Sequence, residues 1–274
     1  MEQEHLVIIG KGGVGKSSVA SNTSAALAAD GYRILQVGYG HARDSTATLR
    51  GGRAAMPLFI GRESPLEKVV EGFNGVFCLE TGGLTGANRG KVLRQLSVEI
   101  GRHSPDIIVH DVSWESYGER LAQPFGSGPV KAFAIVSADF PAIAAANSIF
   151  RTFGCYPFCR RVTYGGLIAN GLTATFAQAM VADFSKCCGA TVYSSIPHSL
   201  VVMASELYGK TVLEAAPLSQ HAFVYRKLAK KVMGIESRVL PRYLDDQELK
   251  DWGHSWAGLI HELETGYLTD GAGI

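Results

Sequence analysis

The amino end of the chain limits the fold most strongly, because three kinds of local sequence follow one another there without a gap. HLVIIG, residues 5–10, is apolar and stops at glycine. Residues 10–17 read Gly-Lys-Gly-Gly-Val-Gly-Lys-Ser, and KSSVASNTSAALAADG, residues 16–31, follows. In that last stretch Val19, Thr23, Ala26 and Leu27 share one helical face, and Gly31 stands where a C-terminal cap belongs. The middle stretch fits G-x-x-x-x-G-K-S/T between a predicted strand and a predicted helix. Such a loop must wrap backbone N–H groups around phosphate oxygens, and larger side chains would block the approach. The helix that follows points its positive end at the same anion. Gly12, Gly13, Val14, Gly15, Lys16, Ser17 and Ser18 form the expected cradle. Lys16 is expected to neutralise the β and γ phosphates, and Ser17 to offer its hydroxyl to Mg²⁺.

Strand and helix patterns then alternate along the chain. RILQVG, GVFCLE, DIIVHD, VKAFAIVS, YGGLIAN and ATVYSSIP read as six further strands. NRGKVLRQLSVEIGR and the stretch from Ala142 to Phe153 read as helices between them. Strands apolar along their length and joined by helices predict an α/β fold, a doubly wound and mostly parallel sheet covered on both faces. Residues 1–274 read as one nucleotide-binding domain. In its tail, residues 235–274, Leu249, Trp252, Trp256, Leu259 and Leu263 recur at helical spacing. Asp245 or Asp246 can cap that helix and Gly266 can end it, with the apolar stripe against the domain itself or against a second subunit.

Composition narrows the function. Hydrophobic residues make up 46% of the chain and charged residues 19%, enough for a sizeable core. A formal net charge of +1 supplies no global field toward nucleic acid or anionic lipid, so neither is expected as a partner. MEQEHLVIIG lacks a basic, then apolar, leader pattern, and no apolar run reaches membrane-span length. The five cysteines, Cys78, Cys155, Cys159, Cys187 and Cys188, therefore read as reduced thiols of a cytoplasmic protein.

Lys11 is not needed by the cradle. A cation at that position reaches phosphates only if a second copy of the chain faces it. In this the loop resembles the deviant Walker A class of P-loop ATPases, written KGGxGK(S/T), in which this lysine crosses a dimer interface much as an arginine finger acts in trans. That class includes partition and division-site ATPases, arsenite-pump ATPases and nitrogenase iron proteins. Further segments are similar to the last of these and to the L subunit of dark-operative protochlorophyllide reductase. VGYGHARDST, residues 37–46, resembles their switch I segment VGCDPKADST. VFCLETGG resembles VKCVESGG, GGLIANG resembles GGLICNS, and VYRKLAKKV resembles EYRALARKV. The resemblance runs from Leu6 to about Leu263. It implies an ATP- or ADP-binding homodimer with Mg²⁺ held near Ser17, Asp44 and Asp111, a base pocket containing Asn170, Pro197, His198, Glu206 and Tyr225, and catalysis through Lys11, Lys16, Asp44 and Asp111.

The departures from that family bear on activity. Its members bridge a 4Fe–4S cluster between two subunits with two cysteines from each. Here the first ligand segment reads GGLTGANRG and the second DVSWESYGER, with Gly118 at the cysteine position. Thiolates are required for such a cluster, so no iron–sulfur ligands and no cluster are expected. The family's earlier switch I aspartate is Gly40, its switch II glycine is Trp114, and Glu115 replaces an aspartate. Phosphoryl transfer depends on positioning, so slow or absent hydrolysis is expected. The two glutamines of the family's base pocket are Met203 and His221 here. The reading is a nucleotide-driven switch whose moving face, with Arg89 and Trp114, docks a protein partner in metalloenzyme maturation or regulation. The alternatives are a reductase with an atypical cluster and a positioning-type ATPase.

Overall fold

The computed structural model describes residues 3–53, 69–83, 89–114, 128–155, 162–235 and 240–266. Its eight strands are β1 (Glu4–Gly10), β2 (Ile34–Gly38), β3 (Val70–Glu71), β4 (Phe77–Glu80), β5 (Ile107–Ser113), β6 (Val130–Val136), β7 (Val162–Leu172) and β8 (Val192–Pro197). They form one sheet in the order β3-β4-β2-β5-β1-β6-β7-β8. Every pairing is parallel except that of β3 with β4. All seven strands predicted from apolar runs are present. The eighth, β3, is a two-residue antiparallel edge that no pattern marked.

Helices α1 (Lys16–Ala29), α2 (Arg89–His103), α3 (Phe140–Cys155), α4 (Thr175–Cys188), α5 (Leu200–Leu207), α6 (Val212–Ala215), α7 (Gln220–Met233) and α8 (Asp246–Thr265) connect the strands or follow them. Two expectations need adjustment. Helix α1 is buried from Val19 through Leu27, not along one face alone, because α7 packs on the side away from the sheet. Within it Asn22 donates to the Ser18 carbonyl at 2.9 Å and accepts from the Val212 N–H at 2.8 Å. Strand β5 does not end at Asp111 but continues to Ser113, because its pairing with β1 persists to Gly10 opposite Ser113.

The core is the sheet interior, with Ile8, Ile9, Ile34, Leu35, Leu79 and Phe133 among its fully buried side chains. The chain crosses β1 in passing from β5 to β6, so the order reverses there. Ligands of open α/β sheets bind at the carboxyl ends of the strands beside such a reversal. Gly10–Ser17, the motif loop, lies at that place, at the carboxyl end of β1.

Candidate functional site

The loop from Gly10 to α1 is held from two sides. Gly15 caps α1 in the left-handed region, at φ +83. A Cβ there would lie 2.3 Å from Asn170 Nδ2, so both the backbone angle and the space demand glycine. Asn170, on β7, donates from that nitrogen to the Val14 carbonyl at 2.9 Å. Lys16 is buried, and its Nζ donates to the Lys11 carbonyl at 2.7 Å, which holds the ammonium over its own loop. Ser17 Oγ donates to Asp111 Oδ2 at 2.6 Å. The hydroxyl and carboxylate that a Mg²⁺ ion would use are therefore already together.

Gly13, Gly15, Lys16, Ser17, Ser18, Asp44, Ser45, Thr48 and Glu206 line a hollow of about 370 Å³. Asp44 enters it from the loop after β2. The preceding Arg43 has φ 59, a left-handed conformation rare for a residue with a side chain, and it turns the loop inward. The segment is tied down from behind: the Ser45 carbonyl accepts from Ser21 Oγ at 2.8 Å and from Gln36 Nε2 at 2.9 Å. Glu80 Oε1 accepts from the Thr46 N–H at 2.8 Å and from its hydroxyl at 2.9 Å. Burial raises the Asp111 carboxyl above its ordinary range and the charge of Asp44 adds to this; Ser17, Ser45 and the Lys16 charge oppose it. Burial pushes Glu80 up to about 7 against its two Thr46 donors. Among the described residues no three His, Cys, Asp or Glu side chains converge as a metal cage. Mg²⁺ does not need one, since it keeps waters and phosphate oxygens with one or two protein ligands.

A second hollow, about 260 Å³, shares Gly15, Ser18 and Glu206 with the first. Asn170, Pro197, His198, Met203 and Tyr225 complete it, together with Ser199 and Val202. Its lid is braced twice. Ser199 caps α5, and His221 lies 3.2 Å from the Pro197 carbonyl through Nε2. Tyr225 is buried, and burial pushes its phenol up to about 12, so it offers a neutral wall. The two hollows adjoin, one polar and flanked by the loop, the other flanked by β7 and α5.

The structure thus gathers Gly13, Gly15, Lys16, Ser17, Ser18, Asp44 and Glu206 around one hollow and Asn170, Pro197, His198 and Tyr225 around the other, with Asp111 bonded to Ser17. Val14 contributes backbone only, since its side chain is buried. Lys11 and Gly12 are not among the lining residues. Trp114 packs half-buried on the core. A Cβ at Gly40 would meet nothing nearer than the Ala42 nitrogen at 3.9 Å, so space does not require glycine there. Glu115, Gly118 and most of the GGLTGANRG segment lie outside the described residues. Sequence reasoning missed Glu80 and Thr48; an acidic residue ending an apolar strand was the available signal for Glu80.

A larger hollow, about 590 Å³, lies between α8 and the starts of α3 and α4, walled by Phe140, Phe176, Met180, Trp252 and Trp256. It holds no part of the glycine-rich loop, so size does not choose the site. The described thiols stand apart from both nucleotide hollows. Cys78 is buried on β4, Cys187 and Cys188 end α4, and burial pushes Cys78 and Cys188 each up to about 12.

Comparison with known proteins shows the fold and the family. Solved structures with the same fold include the septum site-determining protein MinD of Pyrococcus horikoshii complexed with Mg-ADP, at TM-score 0.64 and 18% identity, covering 87% of this chain and 100% of that one. A ParA family ATPase from Chlorobium tepidum aligns at TM-score 0.61 and 17% identity, covering 84% and 98%. Among sequences, nitrogenase iron protein 2 of Paenibacillus durus is 35% identical over 285 residues, covering 98% of this chain and 97% of its own length. The nitrogenase iron protein of Methanococcus voltae is 31% identical, covering 92% and 96%. A family model described as 4Fe-4S iron sulfur cluster binding proteins, NifH/frxC family, matches residues 4–256. With a family model matched over nearly the whole chain and relatives above 30% identity, the chain belongs to the NifH/frxC family.

Proposed function

We propose that this chain is an ATP-binding homodimeric switch of the iron-protein type that works without the family's cluster and docks a protein partner according to its nucleotide state. The observation that carries the reading is that the phosphate hollow is walled by two different parts of the chain. The cradle supplies Gly13–Ser18, and the mobile-switch segment of the family supplies Asp44, Ser45 and Thr48. A nucleotide there touches both, so its γ-phosphate and Mg²⁺ can bias the second against the first. Ser17, Asp111 and Asp44 would hold the Mg²⁺, which neutralises phosphate charge. Lys11, whose side chain is outside its own hollow, is assigned to the nucleotide of the second subunit.

The cluster does not fit the donors present. Gly118 stands at one ligand position, the other segment contains no cysteine, and the described thiols are placed elsewhere. No step is therefore routed through iron. Gly40 and Trp114 replace residues that would orient the attacking water and approach the γ-phosphate, so turnover is slow or awaits a partner. No helix among the described residues is long and apolar enough to cross a membrane, and the reading includes neither a membrane nor a nucleic acid as partner.

The test is phosphate release under saturating Mg-ATP, with nucleotide occupancy measured in the same samples and Lys16→Ala as control. Occupied sites with release no faster than the control support a binding switch. Release well above the control makes the chain a working ATPase, and empty sites overturn the reading. Family membership favours one competing reading, a reductase with a cluster bound in a new way. Four irons per dimer after anaerobic preparation, lost on changing Cys155 or Cys159, would establish that instead.

A further inference from the structure

Three polar side chains cross the underside of the sheet in a line, and the nucleotide site as described does not use them. Tyr39 Oη lies 2.9 Å from His110 Nδ1, and His110 Nε2 lies 2.9 Å from His5 Nδ1. The rings stack, at 5.7 Å and 22° for Tyr39 with His110 and at 5.2 Å and 14° for His110 with His5. All three residues are buried. Buried polar groups of this kind cost stability unless each finds a partner, and here they partner one another. Burial lowers His5 to about 4 and His110 well below its ordinary value, so both rings stay neutral, each with one donor and one acceptor nitrogen.

The register explains the line. Val37 of β2 and Val7 of β1 flank His110 of β5. Tyr39 lies two residues beyond Val37 and His5 two residues before Val7, on the same face. The chain of bonds therefore runs diagonally, from the carboxyl end of β2 to the amino end of β1. Its three members meet functional segments. Tyr39 begins the switch segment that carries Asp44, and its N–H also donates to the Asp111 carbonyl at 3.2 Å. His110 precedes Asp111, whose side chain leaves the opposite face of β5 toward Ser17. The N–H of His5 donates to the Pro129 carbonyl at 2.9 Å, where the chain returns from the segment after Trp114.

We propose that Tyr39, His110 and His5 form a buried strut of positioning residues that fixes the root of the switch segment to the strand carrying Asp111, so that a change at one is felt at the other. This rests on the nucleotide-switch reading. With two attachments to β5, one through backbone to Asp111 and one through its hydroxyl to His110, Tyr39 cannot swing without moving the strand end. Loss of the hydroxyl removes the side-chain bond to His110 and keeps the backbone bond to the Asp111 carbonyl.

The experiment is amide hydrogen exchange on the full chain with and without Mg-ATP, alongside direct measurement of ATP affinity and melting temperature. Tyr39→Phe removes the hydroxyl, and His5→Gln breaks the far end without touching the switch. Expected in both variants are ATP affinity within about twofold of wild type and unchanged protection of residues 10–18, while the ATP-induced protection of residues 107–114 falls by about half or more. The double variant is expected to lose no more than the single ones, because one chain of bonds is already broken. Unchanged protection at 107–114 in both variants overturns the strut. So does a general loss of protection with a lowered melting temperature in both, which would make the line a fold support only. If Mg-ATP protects nothing in the wild type, the nucleotide reading itself fails, and the strut's assigned role with it.

Discussion

Glu80 has an environment that contradicts its usual ionisation. Its carboxyl lies against Gly38, where a Cβ would come within 2.0 Å of Oε2, and it holds Thr46 of the switch segment. Burial raises it from 4.5 to about 7, so the folded chain binds this proton more tightly than the unfolded one. The stability it contributes is complete below the unfolded value and is lost as pH rises through the folded one. A shift of this size corresponds to about 3 kcal/mol. The unfolding free energy of wild type minus that of Glu80→Gln is expected to fall by about that amount between pH 4.5 and pH 8 and then level off. Denaturant titrations at several pH values read it directly, and a flat difference would place an ionised Glu80 in the fold. Gly40 makes a second prediction at this scale. Its surroundings have room for a side chain, so Gly40→Asp is expected to fold and, if a missing carboxylate limits turnover, to raise phosphate release by about tenfold or more. The motif residues were legible in the sequence because the chemistry of phosphate fixes both residue type and spacing. Glu80, Tyr39, His110 and His5 were not, because their partners come from strands that only the sheet order makes neighbours. A histidine at the start of one apolar run, HLVIIG, and one near the end of another, DIIVHD, were the hint available.

Among the elements, α8 was read most fully from sequence and still held an unread contact. Asp245 and Glu248 form a reciprocal capping box at its start, and Gly266 ends it in the left-handed conformation. Trp252 is buried and Leu249 and Trp256 pack against the core, while Leu259 and Leu263 remain exposed, so the apolar stripe is used only in its first half. What fixes the helix is Asp183 on α4, whose Oδ2 accepts from both indole N–H groups, Trp252 and Trp256, at 2.9 Å each. Helical spacing places the two tryptophans on one face, but nothing local says that a carboxylate 69 residues away in sequence from Trp252 will meet them. Asp183→Ala would strand both donors. It is expected to lower the unfolding free energy by about 2 kcal/mol and to speed exchange and proteolysis in α8 before the rest of the chain. A helix as protected as in wild type would show that the apolar contacts of Trp252 hold it alone. The strands were legible because a parallel sheet buried on both faces writes itself as continuous apolar runs. The two residues of β3 were too few to leave such a trace.

For the whole molecule the open question is the second subunit, and Lys11 decides it. The Lys11 carbonyl accepts from Lys16, which fixes the backbone at that point. Its side chain does not line the hollow that the cradle encloses, so it has no assigned task in its own subunit. In a two-fold symmetric dimer facing across the nucleotides each lysine would reach the other subunit's phosphates, and every contact would occur twice. Two charge-assisted contacts at about 1.5–3 kcal/mol each imply that Lys11→Ala weakens the ATP-bound dimer by about a hundredfold or more. The same change is expected to leave ATP affinity of the monomer within about twofold, because the intrasubunit cradle is untouched. Sedimentation velocity over a range of concentrations with Mg-ATP, Mg-ADP and no nucleotide separates the two effects, with Lys16→Ala as the variant that loses binding itself. Dimers of Lys11→Ala as tight as wild type would return Lys11 to its own subunit, and the subunits would then have to meet through a face other than the nucleotide. A dimer lost in Lys11→Ala while binding persists would mean that the second subunit completes the phosphate site, so that association and nucleotide state are one equilibrium.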